Sequence, residues 1–157
     1  MVLSRGADYA IRAMLDVASQ LEDKKTVTER IARRQDVPAA FLSKVVAQLT
    51  QAGLLRTHRG AAGGVELGRA SEEINLRQII EAVQGPIVLN LCTDPFNGCP
   101  QAATCPVCKV FVEAQGKVDA VLEQAILAEL AEEALRLTAG QVRAPGSASR
   151  PMSLASD

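Results

Sequence analysis

All four cysteines of the chain lie between Cys92 and Cys108, in the stretch CTDPFNGCPQAATCPVC, spaced C-x6-C-x5-C-x2-C. Pro100 and Pro106 each follow a cysteine directly and Gly98 precedes one, so the segment has little tendency toward helix or strand. Something must hold a loop of this length, and thiolates converging on one metal centre would do it. The competing account is a pair of disulfides, or thiols scattered for structural reasons. No secretory signal is expected at the amino terminus. Four cysteines confined to one loop, in a chain long enough to bury a core, then point to metal rather than to staples. Tetrahedral zinc sites are usually built from two C-x2-4-C knuckles, and here only Cys105–Cys108 forms one. The wide separation of Cys92 and Cys99 suits an iron–sulfur cluster, which is larger than a single ion.

At 157 residues the chain is one domain, or a small domain with an arm. Only 3% of its residues are aromatic although 48% are apolar, so the core must be Leu, Val, Ile and Ala, which favours helices. No apolar run is long enough to span a bilayer. The expectation is a cytoplasmic protein with no membrane partner, where thiols stay reduced and can bind metal. The net charge of −1 hides an asymmetry. Residues 1–69 carry eleven Lys/Arg against seven Asp/Glu, and residues 70–157 carry six against eleven. A basic first half joined to an acidic remainder suggests a polyanion-binding module with a separate regulatory or assembly part.

From Ser4 to Leu21 the residues Ala7, Ala10, Ile11, Met14, Leu15, Ala18 and Leu21 repeat at helical spacing. Asp8, Arg12 and Asp16 follow at i, i+4 on the other face, as a solvated salt-bridge row would. After a turn at residues 22–25, Thr26 and Glu29 read as a capping box opening a short helix. Val37-Pro38 ends that helix and starts another. The second helix buries Phe41, Leu42, Val45, Val46 and Leu49, stops near a left-handed Gly53, and shows Ala39, Ala40, Ser43, Lys44, Ala47 and Gln48 outward. Leu54–His58 and Val65–Leu67 read as strands around the glycine-rich turn from Arg59 to Gly64. Two helices followed by a hairpin tipped with arginine predict a winged helix-turn-helix. Its second helix would enter the major groove of double-stranded DNA. Ser43 and Lys44 are the candidate base readers, with Ala39 and Ala40 against thymine methyls. Arg30, Arg33, Arg34 and Arg59 would meet phosphate or the minor groove. His58, the only histidine, reads as a wing residue and not as a ligand.

Asn75 caps a predicted helix with Leu76, Ile79, Ile80 and Val83 inward, ended by Gly85-Pro86. From about residue 107 to 137 the pattern is helical throughout. Val107, Phe111, Ala114, Val118, Val121 and Ala125 alternate steps of four and three, the mark of a heptad seam. A lone helix of that kind calls for a partner, and a second copy is the simplest one. Beyond Gly140 the composition turns to Gly, Ala, Ser, Pro and Arg without period, as in a disordered tail. The expected organisation is a winged helix over 1–70, a connecting helix over 71–91, the cysteine loop over 92–108, a dimerisation helix over 107–138 and a tail over 139–157. The fold class is mainly α. One histidine, no nucleophile elbow and no phosphate loop leave an enzyme little to work with.

The opening ADYAIRAMLDVA, the block PAAFLSKVVAQLTQAGLLRTHRGAAGGVEL, the helix INLRQIIEAVQGP and the cysteine loop together resemble the bacterial winged-helix regulators of the Rrf-two family. That family includes the iron–sulfur regulator IscR and the nitric-oxide-sensing repressor NsrR, and the resemblance covers residues 1 to about 137. It implies a homodimeric transcription factor on promoter DNA. Its iron–sulfur cluster, 4Fe–4S ahead of 2Fe–2S, would be held by Cys92, Cys99 and Cys105 and would report redox state, nitric oxide or iron–sulfur status. Family loops commonly place five residues between the first two cysteines, and here there are six. Cys108 falls where IscR-like members carry a histidine ligand. Asp8 falls where NsrR-like members use an aspartate of the other subunit. Two residues thus compete for the fourth position, with the longer match around Asp8, Ala10 and Arg12 favouring the aspartate. A cluster-free thiol sensor using Cys105 and Cys108, and a structural zinc protein, are the alternatives.

Overall fold

The computed structural model describes residues 3–20, 25–60 and 63–142. Six helices and one hairpin follow in the order α1 (Arg5–Ala18), α2 (Thr28–Arg34), α3 (Ala39–Gln51), β1 (Leu55–His58), β2 (Gly64–Leu67), α4 (Leu76–Gln84), α5 (Cys108–Gln124) and α6 (Leu127–Val142). The core lies where α1, α2, α3 and the wing meet: Met14, Ile31, Leu42, Val45, Leu49, Leu54 and Leu55 are each at most 1% exposed. Ile79 of α4 and Leu127 of α6 close it. Burying each such side chain contributes about 1.5–3 kcal/mol relative to leaving it in water.

Local signals set the boundaries. Ser4 caps α1 by accepting from the Ala7 N–H at 3.1 Å. Asn75 and Gln78 form a reciprocal capping box at the start of α4. Gly53 takes φ 72° just past α3, as its sequence predicts. The hairpin pairs Leu55 with Leu67 and His58 with Gly64.

Several expectations need correction. Thr26 does not cap α2, whose N-cap is Val27 with no side-chain bond. It pairs instead with Val65 as an antiparallel bridge, at 3.0 and 2.7 Å, and so ties the start of α2 to the wing. Asp16 is no part of a solvated row. It is 6% exposed and takes two bonds from Arg34, at 2.9 and 2.6 Å, and one from Gln35 at 3.1 Å. Only Asp8 and Arg12 keep the exposed i, i+4 pair, at 3.0 Å. Phe41, expected in the core, is 41% exposed and meets the Tyr9 ring edge-on at 5.3 Å.

The predicted single helix over 107–138 is two. Ala125 leaves helical geometry at ψ 87°, because the chain there pairs with the residues before α4. Leu76 N–H donates to Ala125 O at 2.9 Å and Leu127 N–H to Ile74 O at 2.8 Å. This backbone pairing turns α6 back onto α1 of its own chain, burying Leu127 and Ala131. The heptad seam divides accordingly. Val118 packs against Ala7, Ile80 and Ile87 within the chain, whereas Val107 and Val121 of the seam stay 49% and 66% exposed, as does Val110 beside them at 64%. Helix α6 continues to Val142, past the expected start of the tail at 139, and residues 143–157 lie outside the described residues.

Candidate DNA-binding face and cysteine loop

Helix α3 buries Leu42, Val45, Val46 and Leu49, and that stripe fixes which residues face out. Ala39, Ala40, Ser43, Lys44, Ala47 and Gln48 form a continuous exposed strip of small and polar residues with one cation. The Ser43 hydroxyl donates to Ala39 O at 3.0 Å, which leaves its lone pairs to accept. Arg33 is exposed at the end of α2 and Arg59 in the turn that follows β1, at the tip of the wing. Arg30 is exposed on the same short helix. Ala61 and Ala62, in the wing turn, lie outside the described residues.

Arg34 is different. Its guanidinium holds Asp16 with two bonds and Thr26 Oγ1 with a third at 3.1 Å, so it joins α1, α2 and the wing bridge. The hydrogen bond to Asp16 is the main cause that raises its pKa further. We read Arg34 as a brace of the helix-turn-helix rather than a phosphate contact. The sequence carried a clue: an aspartate on a helix face whose i−4 partner, Arg12, was already paired. In the wing His58 and Glu66 approach to 2.7 Å across the strands. That bond, above all, lowers the Glu66 carboxyl.

The cysteine loop is built on another principle. From Cys92 to Cys108 not one side chain is buried. Short turns carry it: Asp94 accepts from the Phe96 and Asn97 N–H groups at 2.8 and 3.2 Å, and Cys105 N–H reaches Gln101 O at 2.9 Å. All four cysteines are half-buried, while Pro95, Phe96, Asn97, Gly98, Pro100 and Pro106 between them are exposed. Thr93, Asp94 and Ala102 share that half-burial. Cys108, the first residue of α5, has its thiol pushed up by desolvation, by a hydrogen bond to Cys92, and by the charges of Cys92, Cys105 and Cys99. Among the described residues no three Cys, His, Asp or Glu side chains close around a single ion. The set is soft, all-sulfur and widely spaced, which fits a cluster better than one small cation. Asp8 stands apart on α1, half-exposed and paired with Arg12.

Two residues that sequence reasoning passed over support the loop. Gln115 of α5 is 8% exposed and bonds the segment leading into Cys92, donating to Ile87 O at 2.8 Å and accepting from Leu89 N–H at 2.9 Å. Arg77 of α4 bonds Glu81 at 3.0 Å and Glu123 of α5 at 2.6 Å, locking the two helices together. Gln115 could have been found as a polar residue on the apolar face between Phe111 and Val118. No described helix is long and apolar enough to cross a membrane.

Comparison with known proteins agrees with this architecture. The family model for Rrf2, described as an iron-dependent transcriptional regulator, matches residues 3–133. The regulator NsrR of Halalkalibacterium halodurans is 33% identical over 136 residues, covering 83% of this chain and 90% of its own. A putative helix-turn-helix regulator of Mycobacterium tuberculosis is 32% identical over 139 residues, 86% of this chain and 84% of its own. The solved structure of CymR, described as the global cysteine regulator of B. subtilis, superposes with a TM-score of 0.70 at 25% identity, over 85% of this chain and 98% of that one. Relatives of this kind are transcriptional regulators, not enzymes. With a recognition helix, a paired wing and a family match running from α1 into α6, the chain belongs to the Rrf2 family of DNA-binding winged-helix transcriptional regulators.

Proposed function

We propose that this regulator acts as a homodimer on double-stranded promoter DNA and reads redox state, nitric oxide or iron–sulfur status through a cluster in its cysteine loop. One observation carries the reading: all four cysteines are among the few half-buried residues of a loop that buries no side chain of its own. Cys92, Cys99 and Cys105 would hold the cluster. For the fourth position Cys108 is at hand, since it lies in the same loop three residues after Cys105 and a local ligand costs little loop closure. Asp8 would have to arrive from the second protomer. A bound 4Fe–4S or 2Fe–2S centre would supply a redox- and nitric-oxide-sensitive crosslink. The chain's own part is to order residues 92–108 and the start of α5 around it.

The exposed Val110 and Val121 on α5, with Val107 just before it, support a second copy as the partner of that face. Two recognition helices related by a two-fold axis would then enter successive major grooves, about 34 Å apart. Val121→Glu places a charge in that interface, and sedimentation should show monomers. A dimer that persists would put the interface elsewhere.

The test of the cluster is anaerobic purification with iron and sulfide analysis. Cluster-bearing protein should be brown and hold iron and sulfide in equal amounts. Cys108→Ala and Asp8→Ala, reconstituted side by side, then assign the fourth ligand by which one loses iron. A second reading is a cluster-free thiol sensor in which Cys105 and Cys108 form a disulfide, supported by four free, half-buried thiols in one short loop. Colourless protein with full DNA affinity, losing two free thiols on peroxide treatment, would favour it.

A further inference from the structure

The seven residues from Val83 to Leu89 join the end of α4 to the cysteine loop, and side-chain amides grip them at both ends. Gln48, on the exposed strip of α3, donates to Val83 O at 3.3 Å. Gln84 accepts from the Ser4 N–H at the cap of α1, at 3.0 Å. At the other end Gln115 engages both Ile87 O and Leu89 N–H, and its remaining N–H reaches Asp119 at 2.8 Å. Between the two grips Gly85 sits at φ 81° and Pro86 follows. The chain there cannot continue the helix and turns about one fixed joint.

Gln115 occupies a place where an apolar residue would pack as well. Its neighbours on that face of α5, Val118 and Leu122, lie against Ile80 and Ile87. An amide put there must have its donors and acceptor satisfied to offset desolvation, and each of them is. What the amide adds over a leucine is position: it holds a carbonyl and an N–H of one passing segment at a set height on α5. Leu89 is three residues from Cys92, and Gln115 also lines the groove shared with Cys92, Thr93, Asp94 and Val112.

We propose that Gln115 is a positioning residue that transmits the state of the cysteine loop to the recognition helix, through residues 87–89, the Gly85 joint and the Val83–Gln48 bond. This rests on the reading that loop state sets DNA affinity. When the loop reorders at Cys92, the segment moves on α5 by making or releasing its two bonds to Gln115. The Gly85-Pro86 joint carries that displacement to Val83 and so to α3. The element with two arrangements is the segment itself, and both the loop and α3 bias it.

The test compares DNA affinity of the full chain reconstituted with iron and sulfide against the same protein after anaerobic chelation, on a duplex selected for tight binding by the wild type. Wild type should show a ratio in the range of about 5- to 150-fold that such couplings give. Gln115→Leu should bring the ratio to within about twofold, with iron per chain and the unloaded melting midpoint unchanged. Gln115→Met, unbranched and of similar length, is run beside it, and Gln48→Leu should lower the ratio from the other end. A Gln115→Leu protein that keeps the wild-type ratio would overturn the inference. So would loss of iron or of folding in both Gln115 variants, which would make the residue purely structural. A wild type with no response to chelation would instead remove the underlying reading, and this inference with it.

Discussion

Residues 5–84 and residues 92–108 belong to one chain but are held by different physics. The first region buries an aliphatic core and braces it with a charged network in which Asp16, Arg34, Gln35 and Thr26 satisfy one another. The second buries no side chain and relies on short turns. The difference teaches where regulation can enter. A segment without core contacts opens at little cost, so a group that crosslinked its thiols would decide its conformation. The helix-turn-helix beside it has a core of its own to hold it.

That contrast can be broken by substitution. Leu42→Ala, at a fully buried position of α3, should cost about 2–5 kcal/mol, read as a drop in urea midpoint. A loss below about 1 kcal/mol would deny α3 its place in the core. Arg34→Ala should come next. It strands the Asp16 carboxylate, and breaking a buried pair costs about 3–5 kcal/mol. Arg34 is itself 33% exposed, so water can reach the gap and the figure falls to about 2 kcal/mol. Because the hydrogen bond to Asp16 raises the Arg34 pKa from an already high value, the guanidinium stays charged up to strong alkali, so the Arg34→Ala penalty should not vary between pH 6 and 9.

Effects on the surface should be smaller. Arg59→Ala should weaken binding to all duplexes alike and reduce the salt slope by about one. An unchanged slope would remove the wing from the DNA. Phe96→Ala, in the loop and 79% exposed, should change unloaded stability by less than about 0.5 kcal/mol. A larger loss would mean that the loop has a core after all. The smallest effect is a titration. His58 holds the Glu66 carboxyl below its ordinary value of 4.5, so the contribution of this pair is present above that value and fades as pH falls through the lowered one. An NMR titration of Glu66 should give a midpoint below 4.5, rising toward it in His58→Ala.

Much of the fold was legible because apolar period and caps act locally. The stripe of α1, the caps at Asn75 and Gly53, the order of helices and wing, and the face of α3 all follow from residues within a few positions of one another. What was not legible depends on distant pairing. Helix α5 ends at Gln124 because residues 74–76 bond across to 125–127, and nothing within residues 107–137 announces that. Thr26 leaves its cap for Val65, and Asp16 goes inward because Arg34 comes to meet it. Phe41 faces outward against Tyr9, where hydrophobicity alone placed it inside. In the candidate site, the cysteine spacing singled out the loop but not that all four thiols would be half-buried while the prolines beside them stay exposed. Gln115 left a local mark, one polar residue within an apolar stripe, but its partners Ile87 and Leu89 lie 28 and 26 residues away.

Hydrogen exchange, followed peptide by peptide with and without iron–sulfur reconstitution, tests the central claim most directly. Amides of residues 92–108 should exchange quickly in the metal-free protein and slow markedly once the cluster is in place. Core amides of α1 and α3 should be protected in both forms. Fast exchange in the loop after loading, or full protection of the loop before it, would contradict a thiol-bound centre as the element that orders this region.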